Sequence, residues 1–175
     1  MVSHVSDVVW DRLAFARIGV DALSKFEEWV YQSEVIEPAV GEDFYVELIS
    51  LDYRSRHAHH ELVKLIERIY DARRRPGDIE RDTARATARA YLAGNVDLVT
   101  GSRILAHLSS AGAKWVPGEF SYIDSELDDI PMPAQYALWN PDALARKLQD
   151  PRLDEFRRVA EQAARELLSL LEEHG

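Results

Sequence analysis

The sequence predicts an all-α fold, a single-domain bundle of about seven to eight helices over residues 1–175. Two observations carry this. Apolar residues recur at intervals of three and four along nearly the whole chain, the spacing that lines one face of a helix. The prolines and glycines, 7 and 8 in number, fall mostly between the periodic stretches, where they act as breakers.

Ser6 is positioned to cap a first helix, with Val8, Val9, Leu13 and Ala16 along one side. Gly19 interrupts that pattern. Ala22, Leu23, Phe26, Trp29 and Val30 form a second apolar face, and Ser24 with Glu27 three residues on makes a capping box where a helix can start. After Gly41, the segment to Asp52 is apolar enough for a strand. Tyr45, Leu48, Ile49 and Asp52 nevertheless keep helical spacing, and Glu42-Asp43 suits a helix N-terminus, whose unpaired N–H groups favour negative charge. The clearest helix runs from about Ser55 to Arg74 on the stripe Ala58, Leu62, Leu65, Ile66 and Ile69. It ends in Arg73-Arg74-Arg75 ahead of Pro76-Gly77, a cationic last turn followed by a reversal. Asp78 then caps an Ala-rich helix to about Ala93, closed by Gly94, and a shorter helix fills the span between Thr100 and Gly112.

Residues 112–140 lose the period. Pro117, Gly118, Pro131, Pro133 and the acidic run Asp124 to Asp129 predict one long irregular loop, packed by Trp115, Phe120, Tyr122, Tyr136 and Trp139. Asn140-Pro141 and Asp150-Pro151 each read as a cap followed by a first-turn proline. The second opens a last helix on Leu153, Phe156, Val159, Ala163, Leu167 and Leu170.

Composition narrows the function classes. With 21 Lys+Arg against 31 Asp+Glu, the net charge of −10 disfavours a protein that coats nucleic acid or anionic lipid. The absence of cysteine removes disulfides, thiolate zinc sites and cysteine catalysis. No apolar run approaches the ~20 residues of a membrane-spanning helix. Met1-Val2-Ser3-His4 opens no basic segment followed by an apolar one, so the chain reads as cytoplasmic with no membrane partner. Neither glycine-rich phosphate loop is present, and Gly101-Ser102-Arg103 is not a nucleophile elbow. No cofactor is expected.

Three constellations carry polar chemistry. His57, His60 and Glu61 fall at i, i+3 and i+4, a spacing at which imidazole and carboxylate share a helix face and can hold a divalent metal. The order is His-x-x-His-Glu rather than the zinc-protease signature, and a polar helix face explains it equally well. Asp124, Glu126, Asp128 and Asp129 form an acidic loop without the glycine that the calcium-loop pattern requires. Such carboxylates, with Tyr122 and Tyr136 beside them, suit a surface that docks a basic partner. Alternatively they are buried against arginines. Arg81, Arg85 and Arg89 lie on an i, i+4, i+8 line interleaved with Glu80 and Asp82, which favours paired charge over a nucleic-acid surface.

Two stretches resemble known families. Phe26-Glu27-Glu28-Trp29-Val30-Tyr31 with Asp43-Phe44-Tyr45-Val46-Glu47-Leu48-Ile49-Ser50-Leu51-Asp52-Tyr53 resembles a segment of small, acidic, uncharacterised bacterial proteins. Some of those are similar to immunity proteins that neutralise secreted polymorphic toxins. Leu92 to Arg103, with Tyr122 to Pro131 and Trp139-Asn140-Pro141, resembles a bacterial family of unknown function. The resemblance implies a small accessory protein of immunity type and transfers no catalytic residue. Residues and resemblance together argue for a non-enzymatic, protein-binding factor whose partner is basic. Two alternatives stay open: a metal-binding or hydrolytic module using His57, His60, Glu61 and the loop carboxylates, and a structural or regulatory homodimer.

Overall fold

Helical spacing becomes helix along most of the chain. The computed structural model describes residues 3–19 and 22–173, with side chains from Asp7 onward; Met1 and Val2 lie outside that description, and since the first helix starts at Ser3, Ser6 falls inside it rather than at its cap. Among the described residues there are ten α-helices, one 3-10 helix and no strand. They are α1 (Ser3–Arg17), α2 (Leu23–Gln32), α3 (Ile36–Val40), α4 (Glu42–Ser50), α5 (Ala58–Arg73), α6 (Asp78–Leu92), α7 (Leu98–Ser110), α8 (Gly118–Glu126), the 3-10 helix Pro133–Leu138, α9 (Pro141–Leu148) and α10 (Arg152–Glu173). The class is as predicted; the helices are more numerous and shorter than seven or eight. The chain divides into two compact units, Met1–Ala86 and Thr87–Gly175.

The first unit is built on α1 and α5. Val9, Trp10, Leu13 and Ala16 from α1 meet Leu62, Leu65, Ile66, Ile69 and Tyr70 from α5, with Phe26, Val30, Ile36, Val40 and Leu48 completing the core. Val8, one step off the buried stripe, is exposed. α2 starts at Leu23 after Ala22, so Ser24 lies inside the helix and the expected capping box does not form. The segment with strand-like composition is the helix α4, which buries Leu48. Gly41 between α3 and α4 has φ +90°, and a Cβ there would overlap the Arg73 guanidinium, which donates from Nε to the Val40 carbonyl at 3.0 Å. After α5 the chain turns through Gly77 at φ +88°, with Asp78 accepting from the Arg75 N–H at 3.0 Å.

In the second unit α7, α8 and α10 pack together around Leu105, Phe120, Ile123, Leu127, Ala160, Ala163 and Leu167. The predicted loop over 112–140 is here corrected. Phe120, Ile123 and Leu127 are spaced three and four apart and buried, so burial of that stripe fixes a helix despite the flanking prolines and acids. Pro133 opens the 3-10 helix, where the Gln135 side chain accepts from the Met132 N–H at 3.0 Å. Asn140 caps α9 through Oδ1 as its sequence predicts, accepting from Asp142 N and Ala143 N.

The cap of α7 is Asp97, three residues before the expected start. Its Oδ1 accepts from Val99 N at 3.0 Å and Thr100 N at 3.1 Å, using two of the helix's unpaired donors. Asp97→Ala should therefore lower stability by about 1 kcal/mol, with Asp97→Asn restoring most of it. Urea melts followed by circular dichroism check this; equal stability of the alanine variant and the parent chain would show that the cap contributes nothing.

Candidate functional site

The acidic residues singled out in the sequence sit on and just beyond α8, and cations from three other helices reach most of them. Asp124 accepts from Arg103 Nε of α7 at 3.1 Å. Glu126 lies 4.0 Å from Arg152 of α10, whose Nη1 also donates to the Glu126 carbonyl at 3.4 Å. Asp129 pairs with Lys147 of α9 and stands 3.7 Å from Arg152. The hydrogen bond from Lys147 holds the Asp129 carboxyl below its ordinary range. The Arg152 fork does the same for Asp150, at 2.7 Å. Asp128 is exposed.

Of the sequence alternatives for these carboxylates, exposure or burial as helix caps or against arginines of the basic helix, the structure shows Glu126, Asp128 and Asp129 exposed and Asp124 partly so. It gives a half-exposed acidic edge on α8, tethered by Arg103, Lys147 and Arg152. Tyr122 stands out of the same helix, 58% exposed, with its ring edge on Phe156 at 6.0 Å. Tyr136 is set apart from it, in the wall of a cavity.

Sequence reasoning missed what lies next to this edge. Neither the 3-10 helix Pro133–Leu138 nor α9 buries a single residue, although they carry Tyr136, Leu138, Leu144 and Leu148. Leu138 is 84% exposed. The available signal was Leu144 and Leu148 at i, i+4 behind the Asn140-Pro141 start, an amphipathic face with no obvious covering helix.

The cavity, of about 300 Å3, lies within the second unit. Leu98, Ile130, Leu148 and Leu153 supply apolar wall, and Tyr91, Tyr136, Asp97, Arg157 and Glu161 supply polar groups. Burial pushes the Tyr91 phenol up to about 12, with the Glu161 carboxylate acting in the same direction. Burial likewise raises Tyr136, reinforced by Asp97. Both phenols are thus neutral hydrogen-bonding groups beside negative charge.

The histidine constellation does not assemble. α5 begins at Ala58, so His57 precedes it, and its Nε2 accepts from Arg56 Nε at 2.9 Å. His60 and Glu61 are exposed on the first turn. Among the described residues, no group of three or more His, Asp or Glu side chains can hold a metal ion.

The Arg85 line proves to be paired, but inward. Asp82 has no exposed surface and accepts from Arg85 Nη2 at 2.6 Å and Arg74 Nη2 at 3.2 Å. Arg85 Nε continues to Asp11 of α1 at 2.7 Å. The Tyr70 hydroxyl lies 3.0 Å from Asp82 Oδ2 and 3.1 Å from the Trp10 carbonyl, and Arg74 stacks 5.0 Å from the Trp10 ring centroid. Burial drives the Asp82 carboxyl up while Arg85, Arg74 and Tyr70 pull it down. This network, with Asp82 fully buried and Arg74, Arg85 and Asp11 partly so, joins α1, α5 and α6.

Among the described residues, fold and candidate site together describe an acidic, all-helical chain with a tethered acidic edge, an uncovered apolar segment and a small cavity. No family model matches the chain, and no curated protein or solved structure matches it.

Proposed function

We propose that the protein binds another protein rather than catalysing a reaction, as an inhibitor- or immunity-type factor with a basic partner. The observation that carries this is the segment 133–148, which buries none of its residues yet exposes Leu138 and Leu148. An apolar centre beside a charged rim is the anatomy of a protein interface, and aromatic side chains such as Tyr122 are its usual anchors. The surrounding charge suits a basic partner: residues 118–150 hold seven carboxylates and two cations. Several rim charges together raise association rates even where each adds little affinity. The resemblance to small acidic bacterial proteins and to immunity proteins supports the same reading.

The test is site-specific photo-crosslinking in cells, with the reactive residue at position 138, 122 or, as control, 32. A discrete adduct from 138 and 122 and none from 32 is the expected result. It should weaken when Glu126, Asp128 and Asp129 are changed to Gln, Asn and Asn. That triple change should cost the fold less than about 1 kcal/mol, because pairs this exposed are screened. Absence of a discrete adduct, or the same adduct from all three positions, overturns the proposal.

A further inference from the structure

We propose that the cavity of the second unit is a binding site for an aliphatic organic cation, an alkylguanidinium or alkylammonium group. The inference deepens the reading of a basic partner, since a lysine or arginine side chain carries this chemistry, but it stands on the cavity's own walls.

Shape and polarity set the class. A volume of about 300 Å3 is at the small end of ligand pockets, enough for one extended side chain or a small amine. Leu98, Ile130, Leu148 and Leu153 offer an apolar track for a methylene stem. An anion would find little welcome here. The N-terminus of α7 opens on this cavity, but Asp97 already occupies its Val99 and Thr100 N–H groups. Arg157, a cation in the wall, is paired with Asp154 at 2.7 Å.

A cation finds the opposite. Asp97 uses one carboxylate oxygen as the cap and has the other to offer. Glu161 pairs with Arg165 through Oε2 at 3.3 Å, along the exposed side of α10. The wall also carries the rings of Tyr91 and Tyr136, and an aromatic face attracts a guanidinium or ammonium group. The Tyr91 hydroxyl is occupied with the Arg157 carbonyl at 3.3 Å, which fixes that ring in place. Burial is the main cause that raises both phenols; Glu161 adds to it at Tyr91, where Arg157 opposes, and Asp97 adds to it at Tyr136.

The experiment is an NMR titration of the full chain with four probes: n-butylguanidinium, N-acetyl-arginine-N-methylamide, n-pentanol and pentanoate. Saturable millimolar binding of the cations, shifting amides of residues 96–99, 148 and 157, is expected, with pentanol and pentanoate weaker. Rising salt should weaken the cations selectively. Glu161→Gln should weaken them about two- to five-fold, as loss of one partly screened charge contact predicts. That side chain is on the surface, so an unchanged melt establishes that the variant is folded. The first two probes separate the sources: equal binding points to a side chain of a partner, and loss of the capped arginine points to a free amine. Binding of neither cation, equal binding of pentanol, or indifference to Glu161→Gln would each overturn the assignment. Those outcomes leave the crosslinking result at position 138 untouched, so the two readings can fail separately.

Discussion

Asp82→Ala should lower stability by about 3–5 kcal/mol, the largest loss expected from any single charge in the chain. Asp82 has no exposed surface and is the shared acceptor of Arg85 and Arg74. Removing it leaves two partly buried guanidinium groups without their shared acceptor. Arg85 retains Asp11 at 2.7 Å, while Arg74 keeps only Asp78 at 3.3 Å and the Trp10 ring. The Tyr70 hydroxyl loses one of two acceptors and keeps the Trp10 carbonyl at 3.1 Å. Guanidinium melts followed by tryptophan fluorescence measure the loss. Asp154→Asn is the control, since that carboxylate is 81% exposed and pairs with an exposed arginine. It should move stability by less than about 0.5 kcal/mol. A loss below about 1 kcal/mol at Asp82 would mean that the arginines find other partners and that the network is not cooperative.

The second large effect lies in the segment whose sequence suggests a loop. Phe120→Ala should cost about 3–5 kcal/mol, because its side chain is 1% exposed within the packing of α7, α8 and α10. Tyr122→Ala, two residues on, removes a ring of similar size that is 58% exposed. It should cost far less, since most of its surface is already in water and its edge contact with Phe156 adds at most about 1 kcal/mol. Paired denaturant melts of the two variants decide the matter. Equal, small losses would indicate aromatics resting on a loop; a wide gap indicates a helix with one face in the core.

These two sites show where the sequence could be read and where it could not. Helical spacing predicted most helices well because period is a local property, visible in eight or ten residues. It predicted α4 against a strand-like composition and the Asn140 cap from a dipeptide. α8 carries the same local signal at Phe120, Ile123 and Leu127, but it is short and crowded by Pro117, Gly118, Pro131 and two clusters of acid, which mimic a loop. The partners of the acidic edge were not legible at all. Arg103, Lys147 and Arg152 are 18 to 26 residues from the groups they contact, and nothing in the local pattern pairs them. The cavity is harder still, since its walls come from the ends of α6, α7, α9 and the middle of α10. Exposure of Tyr122 and Asp128, by contrast, follows from their place off the stripe.

The sequence distance spanned by the buried ion network has a kinetic consequence. Asp11 and Arg85 are 74 residues apart, so their contact closes a long loop whose entropic cost rises with the logarithm of its length. α7 and α8 are joined by residues 111–117 alone, and neighbours of that kind meet early in folding. The Asp11–Arg85 contact is therefore among the last to form and among those least developed at the barrier. A change at Asp11 should leave the rate of folding nearly as it was and appear as faster unfolding. The ion pair between α1 and α6 thus bears on how long the native state lasts.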